Sequence, residues 1–250
     1  MAMPTKQEWT KRAEQKVKRT QLFINGKFVD AASGKTFDSI NPRDGKLITE
    51  VAEGDAEDVN RAVAAAKASF EAGVWREMAP LDRKKLILRW VELIHAHAEE
   101  LALLETMNCG KPISDSLNVD VASCANNMQW YAECIDKLYG EIAPIPRDSV
   151  ALIEREPMGV VGAVVPWNYP LIITSWKVGA ALAAGNSVVL KPAEQSPLSA
   201  LLFAELATQA GLPDGVLNVV PGFGPTAGGA LGRHMDVNKD RKSTRLNSSH

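Results

Sequence analysis

Between residues 160 and 220 the chain alternates three short apolar runs with two helix-length segments, and this pattern limits its fold more tightly than any other feature. The run Val160–Val165 holds no polar residue, as expected of a parallel strand covered on both faces rather than a half-exposed one. A helix is expected over about Leu171–Ala184, with Gly185 just past its end. Ser187-Val188-Val189-Leu190 reads as a second strand, Pro197–Gln209 as a second helix and Val216–Val220 as a third strand. Such a β-α-β-α-β succession is half of a doubly wound nucleotide-binding sheet.

The preceding part has a different texture. Leu22–Val29 reads as two short strands around Asn25-Gly26, a strong hairpin signal. One helix is expected from the cap Asp55 to Gly73, with Val59, Val63, Ala66 and Phe70 on one face. A second starts after Pro80, places Leu86, Trp90, Leu93 and His97 at helical spacing, and runs on through Leu101 and Leu104. Gly110-Lys111-Pro112 breaks it, and a third helical stretch covers roughly Val119–Leu138. Pro144, Pro146 and Pro157 then punctuate an extended segment whose residues Ser149–Glu156 look like strand.

Composition narrows the class of function. A chain that is 46% hydrophobic and 23% charged is an ordinary globular one, and a net charge of -2 gives no reason to expect nucleic acid. No apolar run is long enough for a membrane span. The first twenty residues are basic (Lys6, Lys11, Arg12, Lys16, Lys18, Arg19) but hold Glu8 and Glu14 and no apolar core, unlike a secretory signal. Cys109, Cys124 and Cys134 form no CxxC pair and are odd in number, which points to a reducing compartment, the cytoplasm.

Three segments carry candidate chemistry, each at the carboxyl end of an expected strand, the edge where open α/β sheets bind ligands. Val165-Pro166-Trp167-Asn168-Tyr169-Pro170 opens the first helix. An Asn there can aim its amide at an oxyanion without changing protonation, or simply cap the helix. Lys191-Pro192-Ala193-Glu194 ends the second strand. An acid at this place can accept from ribose hydroxyls, and would repel a 2′-phosphate; a solvated Lys and Glu at a strand end is the plainer reading. Pro221-Gly222-Phe223-Gly224-Pro225-Thr226-Ala227-Gly228 follows the third strand. Its glycines would let backbone approach a cofactor, and a turn needing positive φ explains them equally well.

Taken in order, these three motifs resemble the aldehyde dehydrogenase superfamily, and the likeness runs through Phe23–Asp236. Glu99–Thr106 with Gly110-Lys111-Pro112, and Val178–Asn186, belong to it too. The upstream part is most similar to the branch acting on γ-aminobutyraldehyde and γ-glutamyl-γ-aminobutyraldehyde. The resemblance implies an α/β fold: the N-terminal part of the aldehyde dehydrogenase architecture, with an incomplete Rossmann-like parallel sheet and a helical N-terminal region. It divides the chain into a basic arm (1–20), a helical part of the cofactor domain (21–138), an extended segment similar to the family's oligomerisation hairpin (139–157), an incomplete NAD-binding unit (158–237) and a polar tail (238–250).

In the family a cysteine thiolate attacks the aldehyde, hydride passes to NAD, and a Glu-activated water releases the acid. The resemblance makes Asn168 the catalytic stabiliser of the thiohemiacetal oxyanion. Val165, Pro166, Trp167 and Asn168 would line the cofactor cleft, Lys191 and Glu194 would hold the adenosine ribose, and Gly224 and Pro225 would lie at the adenine end. The backbone carbonyls of Ile40, Asn108 and Gln195 match a monovalent-cation site of some members, and Lys177 would assist proton transfer. An aldehyde substrate and a homo-oligomeric parent enzyme are implied as well.

The chain departs from the family after Val237, where an aliphatic strand, a GSTxxG turn, the general base and the nucleophilic cysteine are expected. Asp240–His250 looks instead like a translated sequencing adaptor, and no cysteine present has the nucleophile's flanks. The expectation is a fragment of an NAD-dependent aldehyde dehydrogenase, inactive alone and poorly soluble, because its third strand would leave an open edge and an uncovered apolar face. A genuinely short, non-catalytic protein that binds nucleotide or pairs with full-length subunits is the other class. An NADP-preferring or acyl-CoA-forming relative is disfavoured by Glu194.

Overall fold

The computed structural model describes residues 4–242, side chains at 240–242 excepted. The N-terminal arm, read only as basic, begins with a helix, α1 (Lys6–Ala13). Thr5 and Glu8 form a reciprocal capping box at its start, and Trp9 is buried. The T-x-x-E spacing was there to be read.

Strands β1 (Leu22–Ile24) and β2 (Lys27–Val29) pair antiparallel, and Asn25 and Gly26 both take positive φ, 52° and 74°, as a two-residue hairpin turn demands. A separate antiparallel pair follows, β3 (Thr36–Ile40) with β4 (Leu47–Ala52). Helix α2 (Ala56–Glu71) starts at Asp55, whose carboxylate accepts from the Glu57 N–H at 2.9 Å. The expected second helix is two: α3 (Pro80–Ala96) and α4 (Ala98–Cys109), broken at His97. Its buried face is also rotated from the one expected. Ile87, Trp90, Val91 and Ile94 are buried, whereas Leu86 and Leu93 are half-buried, because Trp90 packs on Phe203 with ring centroids 4.3 Å apart.

The third helical stretch starts earlier than expected, with the single turn α5 (Ile113–Asp115), widens over Ser116–Val121 and continues as α6 (Ala122–Cys134). The extended segment forms a hairpin, β5 (Glu141–Ala143) with β6 (Ala151–Ile153). Then come β7 (Val160–Val164), α7 (Pro170–Ala183), β8 (Ser187–Lys191), α8 (Leu198–Ala210), β9 (Leu217–Val219), α9 (Gly229–Arg233) and β10 (Lys239–Lys242).

The main sheet has the order β10-β7-β8-β9-β1-β2. Neighbours from β10 to β9 are parallel, and β1 joins β9 antiparallel. Side chains of each strand divide between two cores, as a two-residue period requires. Val161, Ala163, Val188, Leu190, Leu217 and Val219 belong to the core built with α3, α4, α6, α7 and α8. Val160, Val164, Val189 and Val220 face the smaller core of α2 and α9. Both faces of the sheet are therefore covered, in agreement with the apolar runs.

Two expectations fail here. The far edge of β9 is not open: Phe23 pairs with Val219, and Asn218 Oδ1 accepts from the Asn25 N–H at 2.9 Å. A hairpin nearly two hundred residues earlier closes that edge, and both faces are covered, so these reasons for poor solubility fall. The polar tail is not wholly outside the fold either. Asn238 exchanges bonds with Val160, N–H to Val160 O at 2.9 Å and Oδ1 from Val160 N–H at 2.9 Å, and Lys239–Lys242 pair with β7. A parallel ladder uses backbone groups that any sequence presents, so polarity did not prevent it. The rest of the adaptor-like run, 243–250, lies outside the described residues.

Candidate active site

The register Val164↔Lys191 ends β7 and β8 side by side, and the Val220 N–H donates to Leu190 O at 2.9 Å, bringing the end of β9 level with them. The three motif segments thus emerge together at the carboxyl edge of three adjacent strands. The Val165 N–H donates to Lys191 O at 3.1 Å, binding the first motif to the second. Gly222 packs so closely on the loop before α2 that a Cβ there would stand 2.3 Å from Gly54 O, so only glycine fits. The segment Gly224–Gly228 runs past Lys191, whose Cδ is 3.7 Å from where a Gly228 Cβ would be.

Within this edge, Val165 is buried, Pro166 half-buried, and Trp167, Asn168 and Tyr169 exposed. The helix-cap reading of Asn168 does not hold. The cap residue of α7 is Tyr169, which makes no side-chain cap bond, and the Leu171 N–H donates instead to Glu105 Oε1 at 3.2 Å. Among the described residues the Asn168 amide makes no hydrogen bond. Lys177 turns back under the strand and donates to Val164 O at 2.5 Å.

Lys191 is buried, and its Nζ lies 3.0 Å from Glu194 Oε2. Burial lowers the Lys191 pKa, with Glu194 opposing the shift. For Glu194 burial works the other way, yet backbone and Lys191 hydrogen bonds hold the carboxylate below its ordinary pKa. A lysine enclosed at a strand end is not the solvated pair of the plainer reading. Gly224 and Pro225 are exposed on the neighbouring loop.

The Asn108 amide ties three segments together, Nδ2 donating to Ser39 Oγ at 3.0 Å and Oδ1 accepting from the Leu198 N–H at 3.0 Å. The bridge joins Asn108 to the neighbour of Ile40 and to a residue three past Gln195; Ile40 and Gln195 are exposed and Asn108 buried.

Three residues to which sequence reading gave no place in the site sit under the first motif. Glu105 is fully buried, and its pKa is raised to about 7, first by desolvation. The Cys109 thiol donates to Trp167 O at 3.1 Å, and burial pushes its pKa to about 12. Lys111 Nζ stands 3.9 Å from the Tyr169 ring centre and 2.7 Å from Asp120 Oδ2. Cys124 is buried and its thiol pKa is likewise raised. Neither thiol is an available thiolate. A cavity of about 350 Å³ lies away from this edge, between the N-terminal arm and α4, and its Arg12 and Arg19 are already paired with Glu99 and Glu100.

Residues 28–239 match the model of the aldehyde dehydrogenase family. The chain is 51% identical over 229 residues to the Escherichia coli NADP/NAD-dependent aldehyde dehydrogenase PuuC, covering 92% of this chain and 46% of that protein. The solved γ-glutamyl-γ-aminobutyraldehyde dehydrogenase of Burkholderia cenocepacia superposes with a TM-score of 0.91 at 49% identity, over 94% of this chain and 47% of that one. The P. syringae indole-3-acetaldehyde dehydrogenase, solved with NAD+, gives 0.93 at 51% identity, over 95% and 48%. The chain therefore spans about half the length of the relatives it matches. With its fold, its family match and relatives at half identity agreeing, this chain belongs to the aldehyde dehydrogenase family.

Proposed function

We propose that this chain is the cofactor-holding part of an enzyme that oxidises an aldehyde to a carboxylic acid with NAD. The observation that carries the reading is the convergence of three motif segments at one sheet edge, with Asn168 exposed and its amide uncommitted within the described chain. The donor set suits the cofactor. Lys191 can donate to, and ionised Glu194 accept from, the hydroxyls of an adenosine ribose; Val165, Pro166 and Trp167 would line the cleft, with Gly224 and Pro225 at the adenine end. NAD, when bound, supplies the hydride acceptor. The negative Glu194 favours it over a cofactor carrying a 2′-phosphate, although the relative PuuC is named for both.

The part Asn168 plays is electrostatic. Its side-chain N–H would donate to the oxyanion that forms when a cysteine thiolate adds to the aldehyde carbonyl, without gaining or losing a proton. Lys177, held at the back of β7, would assist proton movement, and the carbonyls of Ile40, Asn108 and Gln195 would hold a monovalent cation, a set supported by the Asn108 bridge. Burial raises the thiol pKa of Cys109 and Cys124, which are engaged or enclosed, and none of the three cysteines has the nucleophile's flanks, so the chain by itself is expected to form no NADH from propanal or γ-aminobutyraldehyde. The parent enzyme would be a cytoplasmic homo-oligomer. Support comes from three free thiols and from the β5–β6 hairpin, where Tyr139, Ile142, Val150 and Leu152 are all exposed. Among the described residues no helix is long and apolar enough to cross a membrane.

Asn168→Ala, placed in a full-length enzyme carrying this sequence, tests the reading. It should lower kcat by a factor corresponding to roughly 3–4 kcal/mol, the scale for losing one oxyanion donor. An unchanged kcat would remove Asn168 from the mechanism.

A further inference from the structure

The loop that presents Asn168 has almost no support of its own. Trp167, Asn168 and Tyr169 are exposed, and α7 begins behind them without a side-chain cap. A helix start leaves its first N–H groups unpaired, and a buried one needs partners from elsewhere. Here the partners come from one short stretch of α4 and the turn after it. Glu105 Oε1 accepts from Leu171 N–H at 3.2 Å, the Cys109 thiol donates to Trp167 O at 3.1 Å, and Lys111 lies over the Tyr169 ring at 3.9 Å. Residues on either side of Asn168 are thus held from below at three points, while the Asn168 side chain has no hydrogen-bond partner among the described residues.

Of the three, Glu105 is the anomalous one. It is fully buried, and among the described residues its Oε2 has no hydrogen-bond partner and no cation is paired with it directly. The Ser199 hydroxyl lies close enough to favour the ionised form but makes no well-formed hydrogen bond. Burying a carboxyl with one oxygen unmatched is unfavourable, and an apolar side chain of similar size would pack there at less cost. What such a side chain could not do is accept the Leu171 N–H.

We propose that Glu105 is a positioning residue: its buried carboxyl replaces the missing cap of α7 and so fixes the loop on which Asn168 is offered to the reacting oxygen. The inference rests on the role given to Asn168 above, but its geometric part does not. The bond to Leu171 uses only the acceptor character of Oε1, which a carboxylate, a protonated carboxyl and an amide all share. Glutamine should therefore replace Glu105 in this task, and methionine, equal in length but with no comparable acceptor, should not.

The test is made on the 250-residue chain without cofactor. Its six tryptophans are labelled as 5-fluorotryptophan, and the Trp167 resonance is identified by its loss in Trp167→Phe. Fluorine NMR is then recorded on the parent chain, on Glu105→Gln and on Glu105→Met, the last chosen because it keeps the buried volume that an alanine would empty. The expected result is that the Trp167 resonance keeps its parent position in Glu105→Gln and moves or broadens in Glu105→Met, with the Trp9 resonance fixed in both. A Trp167 signal unmoved in Glu105→Met, or displaced as far by glutamine as by methionine, would overturn the proposal. Because no cofactor is present, this outcome is independent of whether NAD binds.

Discussion

Glu105 makes the stability of this fold depend on pH, and the sign follows from its burial. Its pKa is raised from an ordinary 4.5 to about 7, with desolvation the largest cause; Asp120 adds to the shift while Ser199, the Leu171 N–H and Lys111 oppose it. The folded state thus holds the proton more tightly than the unfolded chain. Stability from this group is fully present below the unfolded pKa and is lost as pH rises through about 7. Urea midpoints measured from roughly pH 5 to roughly pH 8 should fall for the parent chain and fall less for Glu105→Gln. Equal slopes would mean that the carboxyl is more solvated than its burial implies. Sequence reading found Asn168, Lys191 and Glu194 because each lies at, or within four residues after, the end of an apolar strand, in a segment marked by proline. It gave Glu105 no place in the site because the bond to Leu171 spans 66 residues, and nothing local to an apolar helix marks one glutamate as a distant cap.

At the scale of elements, what could be read was what neighbours in sequence determine. Asp55 capped its helix, Asn25-Gly26 turned its hairpin, and the apolar runs at 160, 187 and 216 became parallel strands. Pairings between distant segments were not legible. The closure of β9 by β1 rests on a three-residue strand whose apolar content, Leu-Phe-Ile, says that it is buried and not against what. The strand β10 was invisible because its side chains are polar and its contribution is backbone. The hairpin β5–β6 and the residue leading into it present apolar side chains to solvent: Tyr139, Ile142, Val150 and Leu152 are between 66% and 76% exposed. Replacing Ile142 and Leu152 by threonine should keep the strand backbone and lower self-association. Sedimentation velocity checks this; a parent chain already monomeric at high concentration would show that the hairpin is not a contact surface.

For the whole molecule, the sheet is closed on the β9 side, covered on both faces and joined to a helical layer that braces its ligand edge from below. Nothing in that arrangement requires a nucleophile in order to hold a dinucleotide. The ligand edge is formed within this chain, where the ends of β7, β8 and β9 lie level. Isothermal titration of the purified chain with NAD+ puts this to the test. Saturable binding is predicted, with a Kd between about 1 µM and about 1 mM, weakened by at least about tenfold in Glu194→Lys. An absence of saturable heat from a chain that melts cooperatively would contradict it.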